Sequence, residues 1–573
     1  MSDSSASREQ QRRFWLLMTV ALIVLAAGIG LRDPWPSDEP RFALVARQMI
    51  ESGHWLFPHR GSELYADKPP MLMWLQAASF ALVRHWRIAF LLPSLLAALG
   101  TLALVYDLGR RLWNRQVGLY AAGALLLAFQ FTYQSKRAQI DPLVTFLITA
   151  GNWGMLRHLL TGPNWRAYWL GCFCAGLGVI TKGVGFLPLL LLLPYGFARW
   201  RNWPGVAHMA RGQAVRWALG PIALLLAIAL WLVPMLLAAH AHGADPAYAA
   251  YVRDILFHQT ADRYANSWGH IHSPLYYVPI VLFSWLPLSL AYPGLLPRWW
   301  RALKAKDAKL LLPLAWVVLV LVFFSIPAGK RDVYILPALP MVAMAAAPFL
   351  GELLRGRWLR VAGLVFIGLL GALALLAGSW ILIAHPAAAA RWAEQHGFAH
   401  GTGALAGVLV VLGAVQLLLI AGLRLRGAVA AVSGGMAALW LAWGFAIAPQ
   451  LNAASSSAGL MARAQAQLGP DDELALVAWK EQNLLALERP ATDFGFSRPW
   501  PDQFADAVSW QAADPTHRWI FAQEPAMGTC VRHEQAIDLG LANRREWWMF
   551  KAGAVIPGCV PEPSARNDDM QTD

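Results

Sequence analysis

The chain has 573 residues, of which 57% are hydrophobic and 14% charged, and its formal net charge is +13. A soluble domain carries nearer a quarter charged residues, so the composition excludes an ordinary soluble protein. Uncharged runs of about 20 residues, enough to cross about 30 Å of hydrocarbon, recur from Phe14 to Pro449. The sequence therefore predicts a polytopic α-helical membrane protein. The first run lacks a signal-peptide cleavage pattern and is interpreted as a permanent anchor.

Charged residues delimit about thirteen predicted transmembrane helices. They lie near 14–31, 88–106, 116–133, 142–156, 167–181, 183–198, 217–239, 275–296, 310–326, 333–351, 361–384, 403–423 and 427–449. With a cytoplasmic N-terminus, every short inner loop carries Lys or Arg and few acids, as the positive-inside rule requires. An odd number of spans then places the C-terminus on the outer side.

The net charge divides unevenly between two predicted domains, a transmembrane domain over 1–450 and a small outer α/β domain over 451–573. From Asn452 onward there are ten Lys and Arg against seventeen Asp and Glu, a net charge of −7, which leaves +20 for the membrane part. The positive charge therefore does not argue for nucleic acid. "ELALVAW", "RWIFAQ" and "WWMFKAGAV" predict strands, and "SSSAGLMARAQAQL" predicts a helix with a serine start.

The four cysteines fall into two pairs. Cys530 and Cys559 lie in the predicted outer domain, where an oxidising compartment makes them a candidate disulfide. Cys172 and Cys174 lie within a predicted span and are interpreted as packing residues.

Charges also collect in the predicted outer loops, at or near span ends. The bases are Lys68, Arg84, Arg87, Lys136, Arg137, Lys182, Arg253, Arg263, Lys330 and Arg331, and the acids are Asp38, Glu39, Glu63, Asp67, Asp141, Asp254, Asp262 and Asp332. One interpretation is a structural network of ion pairs. The alternative is an outer cavity with bases that hold a lipid phosphate and an acid that performs chemistry.

The first outer loop, 32–87, favours the cavity. "PWPSDEPRFA" is followed by an amphipathic pattern with Phe42, Val45, Met49 and Ile50 on one helical face, which predicts a juxtamembrane helix lying on the membrane. A second such segment follows Lys68 in "YADKPPMLMWLQAASFAL". Asp38 is alternatively the N-cap of the first helix, since proline is favoured in a first turn. N-capping is also the alternative for Asp141, and snorkelling for Lys182.

The stretch "DEPRFALVARQMIESGHWLFPHRGSELYADKPPMLMW" resembles the first periplasmic loop of GT-C glycosyltransferases, which use lipid-linked sugars. It is most similar to the bacterial transferases that add 4-amino-4-deoxy-L-arabinose to lipid A, and to their protein O-mannosyltransferase relatives. Four further segments resemble that family in the same order: "SKRAQIDPLVTF", "TKGVGFLPLLL", "RDILFHQTADRY" from the large outer loop 240–274, and "SIPAGKRDVYILPALP".

The resemblance implies a GT-C fold in a bacterial inner membrane, with the active site and the C-terminal domain in the periplasm. It also implies inverting transfer of a sugar from undecaprenyl phosphate to lipid A. Matched positions give Asp38 as the catalytic carboxylate, with Glu39 beside it and Asp141 as support. The remaining matched residues would hold the donor phosphate: Lys68, Arg87, Lys182, Arg253, Lys330 and Tyr334.

Two departures from the family pattern bear on the sugar and the acceptor. His54 stands where the family usually has Asp, and Asp67 where it usually has Glu. Another polyprenyl-linked sugar with a protein or polysaccharide acceptor is therefore an alternative, and a transporter or lipid flippase is a less favoured one. No cofactor is expected. A divalent metal held by the acids with His258, His270 and His272 is a weak alternative, because no metal-ligand spacing appears.

Overall fold

The computed structural model describes residues 2–209, 212–243, 245–257, 271–384, 386–395, 402–543 and 545–561. Before residue 456, the described ranges form helices and one short hairpin, β1 (His59–Arg60) with β2 (Glu63–Leu64). The α-helical and 3₁₀ segments in these ranges are Ser2–Ala26, Asp38–Ser52, Met71–Val83, Trp86–Ala89, Leu92–Leu112, Arg115–Leu127, Phe129–Ser135, Ile140–Leu160, Trp165–Lys182, Val184–Leu191, Leu192–Trp200, Ala214–Ala241, Pro246–Arg253, Pro274–Tyr276, Tyr277–Pro279, Leu288–Ala291, Tyr292–Lys304, Ala308–Ser325, Asp332–Ala338, Leu339–Leu353, Arg357–Ala384, Ala387–Gln395, Gly403–Leu423, Ala428–Ala442 and Ala448–Ser455. Two short segments, Ile280–Ser284 and Trp443–Ile447, are π-helical.

Each predicted span overlaps helical structure, but fewer than thirteen single helices are long and apolar enough to cross a membrane. Within the described ranges, seven are long and apolar enough, and an eighth is added if a pair bent by 94° counts as one span. The seven are Trp86–Leu112, Ala214–Ala241, Ala308–Ser325, Asp332–Leu353, Arg357–Ala384, Gly403–Leu423 and Ala428–Ser455. The chain is thus a multi-pass helical membrane protein.

One break explains why the first span is shorter than predicted. The helix Ser2–Ala26 ends before Gly28, which has a φ of +89° that favours glycine. A Cβ at Gly28 would also lie 2.5 Å from the carbonyl oxygen of Gly444. The turn therefore requires glycine both for its backbone conformation and for its close approach to the last membrane helix.

The helix Asp38–Ser52, named here the Asp38 helix, is packed on two sides. Phe42, Val45 and Met49 are buried against the membrane bundle, as their shared face predicts. Leu44, on another face, joins a hydrophobic cluster of the C-terminal segment. The predicted helix is therefore present, and the C-terminal segment packs on a further face of it that the amphipathic pattern does not indicate.

The C-terminal segment contains a mixed five-stranded sheet in the order β4-β3-β5-β7-β6. The strands are β3 (Glu473–Val477), β4 (Thr492–Asp493), β5 (Arg518–Gln523), β6 (Ile537–Ala542) and β7 (Arg545–Phe550). Parallel pairs join β3 to β4 and β5, and antiparallel pairs join β7 to β5 and β6. The helices here are Ala458–Gln465, Glu481–Leu485, Trp500–Ala512 and Glu524–Met527.

Both faces of this sheet are covered, which explains its continuous apolar strands. Leu474 and Leu476 of β3 pack on one side, and Ala475 and Val477 pack on the other. The structure contains the disulfide Cys530–Cys559, with a Cα–Cα distance of 5.4 Å.

Candidate active site

A cavity of about 650 Å³ opens beside the Asp38 helix. Its apolar walls are formed by Pro69, Val144, Val179, Ile180, Val184, Phe186, Ile228, Trp231, Leu232, Ile255, Leu256, Phe323, Phe324, Ile326, Pro327 and Pro337. Five further side chains form what we call the polar lining: Asp67, Lys68, Asp141, Lys182 and Tyr334. A large apolar cavity with a few convergent polar groups is the usual form of a small-molecule site.

Asp141 and Lys182 form an ion pair inside the polar lining. Asp141 lies in the first turn of Ile140–Leu160, and Lys182 is the last residue of Trp165–Lys182. The Lys182 ammonium also lies 4.7 Å from the ring centroid of Tyr334. N-capping by Asp141 does not fit, since its carboxylate accepts from Lys182. Snorkelling of Lys182 does not fit either, since its ammonium is directed to that carboxylate.

Asp38 lies next to this lining without being part of it. Its side chain is 16% exposed, and Oδ2 accepts from Gln139 at 3.0 Å and from Arg331 at 3.4 Å. Burial opposes the ionised form, but the cations of Arg331 and Arg41 outweigh it, so the pKa of Asp38 lies below its usual value. The helix is not capped by Asp38, because Ser37 occupies the N-cap position.

Glu39, the neighbour of Asp38, has a structural place instead of the predicted catalytic one. Both Glu39 oxygens accept from the Arg32 guanidinium, one of them at 2.7 Å, and both residues are buried. The backbone N–H groups of Trp35 and Ala138 donate to the same carboxylate at 2.9 Å. Four donors leave Glu39 fully engaged in joining the first loop to the bundle.

Arg87 is also placed away from the cavity. It donates to Asp33 at 2.6 Å and is about half exposed. Asp33 accepts in turn from Asn452 and Ser456, both at 2.9 Å. The predicted phosphate contact thus belongs to a polar link between the first loop and the last membrane helix.

Lys330 and Arg253 are not brought into the polar lining either. The Lys330 ammonium is buried and donates to the backbone carbonyls of His272 and Pro327. Arg253 is exposed at the end of Pro246–Arg253, two residues before the lining residue Ile255. Lys330 therefore fixes a turn, and its neighbour Arg331 is the residue that reaches Asp38.

The metal alternative gains no support from the geometry. Across the described ranges, no group of three or more His, Cys, Asp or Glu side chains is arranged to hold a metal ion. His272 stacks on Tyr276 with ring centroids 4.2 Å apart. His258 and His270 lie outside the described residues.

Three contacts of the site were missed by the sequence analysis. Arg331 contacts Asp38, and its place next to Lys330 in "GKRDVY" was a usable signal. Gln139 precedes Asp141 by two residues and donates to Asp38. Glu481 of the C-terminal segment accepts from Arg41 at 3.0 Å, a contact across 440 residues that no local pattern predicts.

The fold is shared with a solved membrane protein. The structure described as ArnT from Cupriavidus metallidurans bound to undecaprenyl phosphate matches with a TM-score of 0.71 and 21% sequence identity, over 95% of this chain and 99% of that chain. The class defined by fold and site is thus a multi-pass helical membrane protein with a charged cavity.

Sequence comparisons define the family. A relative from Pseudomonas aeruginosa (strain UCBPP-PA14), an undecaprenyl phosphate-alpha-4-amino-4-deoxy-L-arabinose arabinosyl transferase, is 30% identical over 393 residues, which cover 66% of this chain and 67% of that protein. A relative of the same name from Pectobacterium atrosepticum is 30% identical over 387 residues, and 66% of its length is covered. Residues 67–237 match the family described as dolichyl-phosphate-mannose-protein mannosyltransferase.

The chain belongs to the family of undecaprenyl phosphate-alpha-4-amino-4-deoxy-L-arabinose arabinosyl transferases. The matches span about two thirds of the length of these relatives.

Proposed function

We propose that the protein is a glycosyltransferase that moves 4-amino-4-deoxy-L-arabinose from undecaprenyl phosphate to a phosphate of lipid A. The observation that carries this proposal is the polar lining, in which Lys68, Lys182 and two acids meet one apolar cavity in a chain of this family. The apolar walls suit a polyprenyl tail, and the lysines suit its phosphate. We further propose thirteen membrane crossings, with the cavity and the C-terminus in the periplasm.

Breaking the sugar–phosphate bond creates opposite charges on the two fragments. The sugar ring becomes oxocarbenium-like, so a nearby carboxylate stabilises it. The departing undecaprenyl phosphate gains negative charge, and fixed cations stabilise that charge more in the transition state than in the ground state. We assign the phosphate to Lys68 and Lys182, with Tyr334 as a further donor.

Asp38 is the acid that we assign to the reacting carbon. Glu39 is fully engaged by four donors, and Asp141 is paired with Lys182. Asp38 accepts from the neutral Gln139 amide at 3.0 Å, and its contacts with the cations of Arg331 and Arg41 are longer, at 3.4 and 4.0 Å. A phosphate acceptor is already an anion, so it needs positioning by cations more than deprotonation by a base. An ionised Asp38 is therefore compatible with inverting single displacement.

The test is mass spectrometry of lipid A from a strain that makes the lipid-linked donor but lacks its own aminoarabinose transferase. Wild-type protein should add the mass of one aminoarabinose, whereas Asp38→Asn, present in the membrane at an equal level, should add none. An unmodified lipid A with both proteins would contradict the proposed acceptor and favour another polyprenyl-linked sugar, as the departures at His54 and Asp67 allow.

A further inference from the structure

A buried acid of the C-terminal segment lies between two arginines of the first loop. Glu481 begins the short helix Glu481–Leu485 directly after β3, and its side chain is 6% exposed. One carboxylate oxygen, Oε1, accepts from Arg41 Nε at 3.0 Å and lies 3.6 Å from Arg60 Nη1. A charge that is so well buried requires compensation, and these two guanidinium groups provide it.

Each of the two arginines also contacts an acid of the candidate site. Arg41 Nη1 lies 4.0 Å from Asp38 Oδ1, and Arg60 Nη1 lies 3.5 Å from Asp67 Oδ2. The backbone carbonyl of Asp67 accepts from the Lys68 ammonium at 2.7 Å. Arg41 therefore bridges Glu481 and Asp38, and Arg60 bridges Glu481 and Asp67 of the polar lining.

The distances show how Arg41 divides its charge between two carboxylates. It is closer to Glu481 than to Asp38 by an ångström, and its side chain is mostly buried. If Glu481 loses its charge, Asp38 and Asp67 are the carboxylates that still attract Arg41, and Asp38 Oδ1 lies 4.0 Å from its guanidinium. Electrostatic attraction between Arg41 and Asp38 at 4.0 Å in a buried site is strong enough to draw the two side chains together.

We propose that Glu481 is a positioning residue of the transfer reaction, which holds Arg41 away from Asp38 and thereby keeps the Asp38 carboxylate available to the sugar. This inference rests on the proposed function, since it assigns a partner to Asp38. It also gives the C-terminal segment a part in the site that lies on the membrane bundle.

The docking of the C-terminal segment has other contacts that do not involve Glu481. Arg47 donates to the backbone carbonyls of Leu485 and Leu487, both at 3.0 Å. Ser62 donates to Asp493 at 2.7 Å through its hydroxyl group. Arg47→Ala thus weakens the same interface without removing the charge beside Arg41, and it serves as the matched control.

The experiment measures transfer to lipid A by the purified full-length protein, with undecaprenyl phosphate-linked 4-amino-4-deoxy-L-arabinose as donor. Glu481→Gln should lower kcat about tenfold while the donor KM changes less, in the range of couplings between contacting residues. Arg47→Ala should keep kcat and lower the thermal midpoint. The double variant Arg41→Gln/Glu481→Gln should be more active than Glu481→Gln alone, because Asp38 no longer has an arginine to capture it.

Three results would overturn the inference: wild-type kcat in folded Glu481→Gln, equal losses in Glu481→Gln and Arg47→Ala, or a double variant that is no more active than Glu481→Gln alone. The first removes any role for the charge, and the others assign the effect to docking or stability. Asp38→Asn is measured in the same series. Full activity in that variant contradicts the proposed function, whereas an inactive Asp38→Asn beside a fully active Glu481→Gln contradicts only the inference.

Discussion

Arg331 lies 3.4 Å from Asp38, although 293 residues separate them in the chain. Of the charged groups near Asp38, Arg331 lowers its pKa most, and only burial has a larger influence, in the opposite direction. The other cations that lower this pKa are Arg41, Arg137 and Lys182. The ionised state of Asp38 therefore depends on a residue at the start of a distant membrane helix.

Arg331→Gln should raise the pKa of Asp38, because burial then acts against fewer cations. A depressed pKa keeps the carboxylate ionised down to low pH, so the variant should lose transfer activity at a higher pH than the wild type does. The pH dependence of kcat measures this shift. Arg331→Lys retains the charge and should shift the acid limb less; equal shifts in both variants would show that the charge is not the cause.

Glu39 and Asp38 are neighbours in sequence, but their substitutions should have opposite consequences. Glu39→Gln leaves the Arg32 guanidinium buried without its counter-charge, which typically costs about 3–5 kcal/mol of unfolding free energy. Asp38→Asn weakens the longer contacts with Arg331 and Arg41, while its amide oxygen can still accept from Gln139, so the variant should remain folded. Thermal unfolding in detergent separates the two, and a Glu39→Gln protein as stable as Asp38→Asn contradicts this assignment.

The Glu39 pair also sets a pH dependence of stability. Burial raises the pKa of Glu39, but Arg32 outweighs it, so the folded-state pKa lies below the ordinary value of 4.5. The stabilisation is therefore complete above that ordinary value and is lost as the pH falls through the lower, folded-state pKa. The thermal unfolding midpoint of the wild type should decrease once the pH is lowered below about 4.5. The midpoint of Glu39→Gln should decrease by a smaller amount over the same pH range.

The sequence analysis predicted residues of the cavity where a motif coincides with the end of a span. Asp141 lies at the start of one helix and Lys182 at the end of the next, so the span assignment alone places both on the same side of the bundle. It failed where two adjacent residues had to be distinguished. Successive helical residues are rotated by about 100°, so Asp38 and Glu39 point in different directions. Only the packing decides which of the two faces Arg32.

Local sequence patterns do not predict how the C-terminal segment docks on the Asp38 helix. The apolar runs "ELALVAW" and "RWIFAQ" predicted β3 and β5, because such runs are a local property, and "WWMFKAGAV" predicted β7 but extends five residues beyond its end at Phe550. The contact of Leu44 with that segment and the pairing of Arg41 with Glu481 depend on tertiary docking. A helix that is amphipathic towards the bundle gives no sign that its other side is also covered.

Two lysines with different surroundings provide the last prediction. Lys68 belongs to the polar lining, whereas the Lys330 ammonium is buried against backbone carbonyls. Lys68→Ala should raise the donor KM about tenfold or more, since a charge-assisted contact with phosphate contributes about 1.5–3 kcal/mol. Lys330→Met should instead lower the thermal midpoint and leave the donor KM unchanged in the folded fraction.

Steady-state kinetics with varied donor and thermal unfolding of both variants measure the two effects. A raised donor KM in Lys330→Met, with Lys68→Ala unaffected, would exchange the roles assigned to these two residues.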